Sequence, residues 1–241
     1  MMTSLIDDSR AFPAAPPLDL DDPQKITSND WNAFRAVERM TSHWDRPGWT
    51  PGHRTYYWML AFAEEPELIT HARSCQQALA ELDMDEVPHD GLHITMNKIG
   101  SCADVEPGTV DALARLANGT LGGAFEVRAE SVAGSTGAIR FSITPWTPLV
   151  ELHAALHRVG QRVGVPGGKP SSLFRPHLGI LYNNRDRAAA PVVEAVALLR
   201  NRPSVTLPVE RVDLVELRRE GRTYRWRVLH SLALPGRSRA R

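Results

Sequence analysis

Two short apolar segments constrain this chain more than any other feature of its sequence. They are Leu92-His93-Ile94-Thr95-Met96 and Arg175-Pro176-His177-Leu178-Gly179-Ile180, with their histidines 84 positions apart. Alternation of apolar and polar residues marks each as a half-buried strand. In the first, Leu92, Ile94 and Met96 point to one face, while His93, Thr95 and Asn97 point to the other. In the second, His177 and Gly179 share a face in the same way. Around both segments the expected order repeats: a histidine-bearing strand, a helix, then a pair of strands. Two similar lobes facing one another satisfy such a repeat, and ligand sites tend to lie at such junctions. The expected fold class is therefore α+β: two pseudo-symmetric lobes, each an antiparallel sheet with helices packed outside, around a central cleft.

The other elements fill in around this repeat. Residues 1–28 carry Pro13, Pro16, Pro17 and Pro23 among small and acidic residues, a composition that predicts a flexible arm. Residues 29–54 read as a helix from Asn29 to about Met40, capped by Ser28 or Asn29, then a Trp/Pro-rich loop. In that loop Trp44 and Trp49 are expected to cover the core. The bilobal domain spans 55–236, and 237–241 form a basic tail. A strand over Thr55–Phe62 leads to a helix whose stripe is Leu68, Ala72, Cys75, Leu79 and Leu82. Cys75 lies on that stripe, as a core thiol rather than a nucleophile. Further on come a helix over 109–118, strands near 125–131 and 138–144, and a helix from Thr147 with Pro148 in its first turn. A helix at 189–201 and a hairpin turning near Gly221 complete the domain.

Composition limits the partners. The 241 residues carry 28 Lys+Arg and 28 Asp+Glu, so net charge is zero and coating of long nucleic acid by electrostatics is disfavoured. A small nucleotide or an RNA end, held by a few local donors, is compatible with it. Two cysteines, Cys75 and Cys102, make a disulfide framework or cysteine-rich zinc site implausible and fit a reducing compartment. The first residues are acidic and lack an apolar run, unlike a signal peptide, and no run is long enough to span a bilayer. A cytoplasmic monomer is the expectation, with neither membrane nor metal nor cofactor.

An imidazole and a hydroxyl two residues apart on one strand face suit phosphoryl chemistry. The imidazole moves a proton while the hydroxyl donates to a non-bridging oxygen. The segments LHIT and PHLG, each on a strand, resemble the two motifs of the two-histidine (2H) phosphoesterase superfamily, in particular its 2'-5' RNA ligase-like branch. The resemblance runs from about Thr55 to Leu234. It implies a metal-independent reaction at a 2',3'-cyclic phosphate, with His93 and His177 as general acid and base in unassigned order. It also implies Thr95 as a phosphate-oxygen donor. The second motif departs from the family pattern: Gly179 stands where a hydroxyl belongs. Its backbone N–H is a candidate phosphate contact, or its small size makes room for another substrate. That departure leaves two other outcomes open: a module that binds a nucleotide or RNA end without turnover, or a phosphoesterase for another phosphate-bearing metabolite.

Tyr57, Asn97 and Arg175 are further candidates for the cleft, Arg175 as a bidentate fork for phosphate. Tyr182, of opposite parity to His177, is expected to be packed or at the rim. His153 and His157 have the spacing of helical metal ligands but lack the accompanying glutamate and a third ligand, so a solvated or boundary role is expected. His89 reads as a turn residue and His230 as packing. In the loop 165–172, Pro170 follows Lys169 where a phosphate loop needs Ser or Thr, leaving a flexible connection that gates the cleft.

Overall fold

The computed structural model describes residues 3–45, 48–50 and 52–236; the expected basic tail and parts of the Trp/Pro-rich loop lie outside them. In chain order the elements begin with α1 (Pro23–Arg35), β1 (Arg39–Met40), β2 (Arg54–Ala61), α2 (Pro66–Ala78), β3 (Asp85–Glu86), β4 (His93–Ser101) and α3 (Pro107–Asn118). They continue with β5 (Phe125–Gly134), β6 (Ala138–Thr144), α4 (Thr147–Val163), β7 (His177–Tyr182) and β8 (Arg187–Ala188). The last are α5 (Ala190–Ala197), β9 (Val205–Val209), β10 (Arg211–Glu220) and β11 (Thr223–Ala233).

Two antiparallel sheets carry the histidine strands, one each. The first has strand order β11-β10-β2-β4 and the second β3-β7-β6-β5-β9, while β1 and β8 form a small separate pair. The expected two-lobed α+β fold is therefore present, with an exchange that the linear repeat conceals. The hairpin β5–β6 follows the His93 strand but belongs to the His177 sheet. The pair β10–β11 follows the His177 strand but belongs to the His93 sheet. Each half of the chain thus completes the other's sheet, and β4 lies beside β7 where the two meet.

One apolar core runs through both sheets. Tyr56, Trp58, Leu60, Ile94 and Met96 bury one face of the first sheet, which α4 covers. Helix α2 forms on its expected stripe: Leu68, Ala72 and Cys75 are all essentially inaccessible to solvent. The hairpin β10–β11 turns at Gly221, whose φ of +58° suits the first position of a two-residue turn.

Three expectations require correction. Helix α1 begins at Pro23, not near Asn29, because the Asp22 carboxylate accepts from the backbone N–H of Gln24 and Lys25 and Pro23 occupies the first turn. The segment ahead of it is not a loose arm. Ala11 is buried, and the carbonyls of Ile6, Pro13 and Ala14 all accept from the guanidinium of Arg175, at 2.7, 3.0 and 2.8 Å. Satisfying so many buried donors offsets the ordering entropy that the proline-rich composition would otherwise leave uncompensated. Finally, β9 is a separate strand before the expected hairpin. It contains Pro208, which an edge strand tolerates, and β9 is the outer strand of its sheet.

Close approach of α1 to the second sheet depends on one glycine. A Cβ at Gly134 would clash with Phe34, the buried aromatic residue on the inward face of α1.

Candidate active site

His93 opens β4 and His177 opens β7, so both rings project from the strand ends where the sheets adjoin. They line a single cavity of about 550 Å³, together with Thr95, Gly179 and Tyr57. That volume lies in the range of small-molecule sites. The two imidazoles are held in the same manner. His93 Nδ1 donates to the Gly91 carbonyl at 2.8 Å, and His177 Nδ1 donates to the Arg175 carbonyl at 2.9 Å. A carbonyl accepts only, so each bond fixes the tautomer with the proton on Nδ1 and makes Nε2 the basic nitrogen. His93 is partly enclosed in the cavity wall, with Trp226 edge-on at 5.3 Å. Burial pushes its imidazole below the ordinary value of 6.5, against the opposing pull of the Gly91 carbonyl. His177 is exposed.

The strands depart from simple alternation at matched places. In β4, pairing with β2 skips Met96 and, further along, Ile99, and in β7, pairing with β6 skips Ile180. Met96 and Ile180 each lie three positions after their histidine, and each marks a bulge that reverses the parity of the residues next beyond it. Asn97, expected on the His93 face, instead pairs with the core residue Trp58 and is buried. Its side-chain amide donates to His157 Nδ1 at 3.5 Å, away from the cavity. Tyr182, expected on the opposite face, pairs with Ala138 and lines the cavity with it. The same irregularity removes one residue from the wall and adds another.

Arg175 is the other misplaced candidate. Its guanidinium is buried in backbone carbonyls, leaving no fork for a phosphate, and its contribution to the site is the carbonyl that holds His177. His153 is not at a boundary but in the core: it is almost inaccessible, bonded to Ser171 Oγ at 2.8 Å and packed on Phe174 at 4.4 Å. Burial and the neighbouring His157 push its imidazole down to about 3. No group of three or more His, Cys, Asp or Glu suited to a metal ion occurs among the described residues. His89 lies exposed in a short turn as expected, and His230 pairs with Asp111 at 2.9 Å.

Sequence reasoning missed the aromatic end of the cavity. His43 stacks on Tyr182 with ring centres 4.0 Å apart, and Tyr224 meets both edge-on. Trp49 borders the same space, while Trp44 is buried behind it as expected, with its indole N–H on Asp85 at 2.6 Å. Apart from Tyr182, which the bulge in β7 turns into the cavity, these rings come from segments far from either motif, so no local pattern announces them. Lys169 also lines the cavity, and its ammonium bonds the Arg10 carbonyl. The loop expected to gate the cleft is therefore tied to the N-terminal segment, and Gly167 N–H is bonded to the Ile99 carbonyl at 2.8 Å.

The model of the 2'-5' RNA ligase superfamily matches residues 62–221. The chain belongs to that superfamily. Solved structures share the fold. A phosphoesterase crystal structure superposes with a TM-score of 0.58 at 18% identity, covering 76% of this chain and 99% of that one. E. coli LigT complexed with 3'-AMP gives 0.57 at 18% identity, over 76% and 98% of the two chains. TT0787 of Thermus thermophilus gives 0.54 at 21% identity, over 77% and 99%. No curated protein matches the sequence. The superfamily match begins just after β2 and ends before β11. His43, Trp49, Tyr57 and Tyr224 therefore lie outside the matched residues. Among the described residues no helix is long and apolar enough to cross a membrane.

Proposed function

We propose that this chain is a phosphoesterase that opens 2',3'-cyclic phosphates on an RNA end or a small cyclic nucleotide, with His93 and His177 as its general base and general acid. The observation that carries this reading is the pair of imidazoles on one cavity, each with Nδ1 on the carbonyl two residues before it. Two Nε2 atoms facing one space suit in-line displacement at phosphorus.

The assignment of roles rests on environment. His93, held neutral by burial, takes a proton from water as its oxygen bonds to phosphorus. The bond from phosphorus to one ribose oxygen breaks, and protonated His177 delivers its Nε2 proton to that oxygen. His177 stands exposed, where an imidazolium keeps its hydration. Solvent then returns the proton balance between the rings, and a phosphate monoester leaves. Thr95, two residues after His93 on the same face, donates to a non-bridging oxygen. Aromatic rings at one end of the cavity suit stacking of a base. E. coli LigT, of the same fold, has been crystallised with 3'-AMP and with ATP, which supports a nucleotide as occupant.

Gly179 favours a second reading, a module that holds a nucleotide without turnover, because a donor is lacking where one is needed. Both are tested by one experiment. A panel of 2',3'-cyclic nucleotides and short RNAs with cyclic ends is incubated with and without chelator, using wild type, His93→Ala and His177→Ala. The proposal expects hydrolysis by wild type in both conditions and a loss of about 10²- to 10⁴-fold in each folded variant. Binding with no product over long incubation selects the module, and undiminished turnover in the variants refutes the two-histidine mechanism.

A further inference from the structure

The second motif lacks a side-chain hydroxyl, and the space that such a side chain would enter is bordered by Tyr182. A Cβ built on Gly179 would meet Tyr182 first, at 3.6 Å from Cε1 and 3.8 Å from the phenol oxygen. A serine or threonine hydroxyl, one bond beyond that Cβ, would therefore fall beside the oxygen that Tyr182 already supplies. Neither backbone conformation nor a clash demands glycine here: its φ lies outside the left-handed region, and the added Cβ would touch Tyr182 only at ordinary van der Waals distance. The bulge at Ile180 then brings Tyr182 onto the His177 face, and the tyrosine lines the cavity with both histidines.

We infer that Tyr182, from the far end of the His177 strand, supplies the phosphate-oxygen donor that Gly179 omits, as counterpart to Thr95 across the cavity. The inference rests on the phosphoesterase reading above. A phenol is a donor at neutral pH. Its ring is clamped by stacking on His43 at 4.0 Å, by Trp44 edge-on at 5.3 Å and by Tyr224 at 5.7 Å. A donor held this way needs no reorganisation when charge develops on the phosphoryl oxygens, which is the condition for strong electrostatic stabilisation. A threonine hydroxyl from the strand and a phenol from beyond a bulge would then grip the same phosphoryl group from the two sheets.

Tyr182→Phe tests this, because it keeps the ring and its stacking and removes only the hydroxyl. With a 2',3'-cyclic nucleotide as substrate, kcat is expected to fall about 10²-fold with KM little changed. Adding Gly179→Ser to Tyr182→Phe restores a hydroxyl from the strand and is expected to recover about tenfold of that loss. Titration with inorganic phosphate gives a readout that does not need turnover, and Tyr182→Phe should weaken it roughly fivefold, the worth of one hydrogen bond. If Tyr182→Phe leaves both kcat and phosphate affinity unchanged, the phenol only packs and the inference is overturned. If His93→Ala and His177→Ala keep wild-type turnover, the two-histidine mechanism fails instead, and the phosphate titration still decides the role of Tyr182.

Discussion

The carbonyl of Arg175 accepts the Nδ1–H of His177 at 2.9 Å, while the guanidinium of the same residue grips three carbonyls of the N-terminal segment. One residue thus fixes the orientation of a proposed catalytic ring and anchors chain that the sequence would leave loose.

Removing that guanidinium strands several buried acceptors. Arg175→Met is expected to destabilise the protein by about 3 kcal/mol and to expose residues 3–14 to proteolysis. Arg175→Lys should recover little, because a single ammonium cannot reach carbonyls spread around a planar fork. Urea unfolding and limited proteolysis measure both effects. A variant as stable and as resistant as wild type would show that the segment is held by other contacts.

Activity should persist into mild acid. The base is required neutral, and burial places the His93 imidazole below 6.5, so protonation removes it only once pH has fallen past that lowered value. The acid limb of kcat/KM is therefore expected below pH 6.5. A limb at or above that value would count against His93 as the base.

Stability, by contrast, should decline over the same range. His153 is neutral in the fold down to about pH 3, whereas the unfolded chain takes up its proton near 6.5. Between those values the unfolded state binds more protons, so stability rises with pH and is lost as pH falls from 6.5 towards 3. His153 alone accounts for about 2 kcal/mol between pH 6.5 and about pH 5. His71 and His157, also lowered by burial, act in the same direction. Urea midpoints at neutral and mildly acid pH should diverge in wild type. They should diverge less in His153→Phe/Ser171→Ala, which removes both ends of the buried hydrogen bond together.

The strands β2, β4, β5, β6, β7, β10 and β11 and most helices were legible in the sequence because each rests on local periodicity, and the two histidines through their matched motifs. The short β1, β3 and β8 and the proline-bearing β9 carry too little pattern to be read. Asn97 and Tyr182 were not, since counting alternate residues assumes one-to-one pairing and each strand gains a residue just past its motif. Arg175 and His153 were misread for a related reason. A charged or titratable side chain reads as exposed until the carbonyls of Pro13 and Ala14, or the hydroxyl of Ser171, are known to meet it. The start of α1 was available in Asp22-Pro23, a cap and first-turn pair obscured by the surrounding prolines. Nothing local joins His43 to Tyr182 or Tyr224; only the folded chain does.

The reciprocal loan of hairpins between the sheets bears on how a ligand enters. Because each half lacks a strand pair without the other, no single cut yields two self-sufficient pieces, and the repeated crossings of the chain between the two sheets restrain a clamshell opening. The spacing between the two imidazoles is then set by how β4 and β7 pack against each other, and side chains at the rim govern how substrate enters.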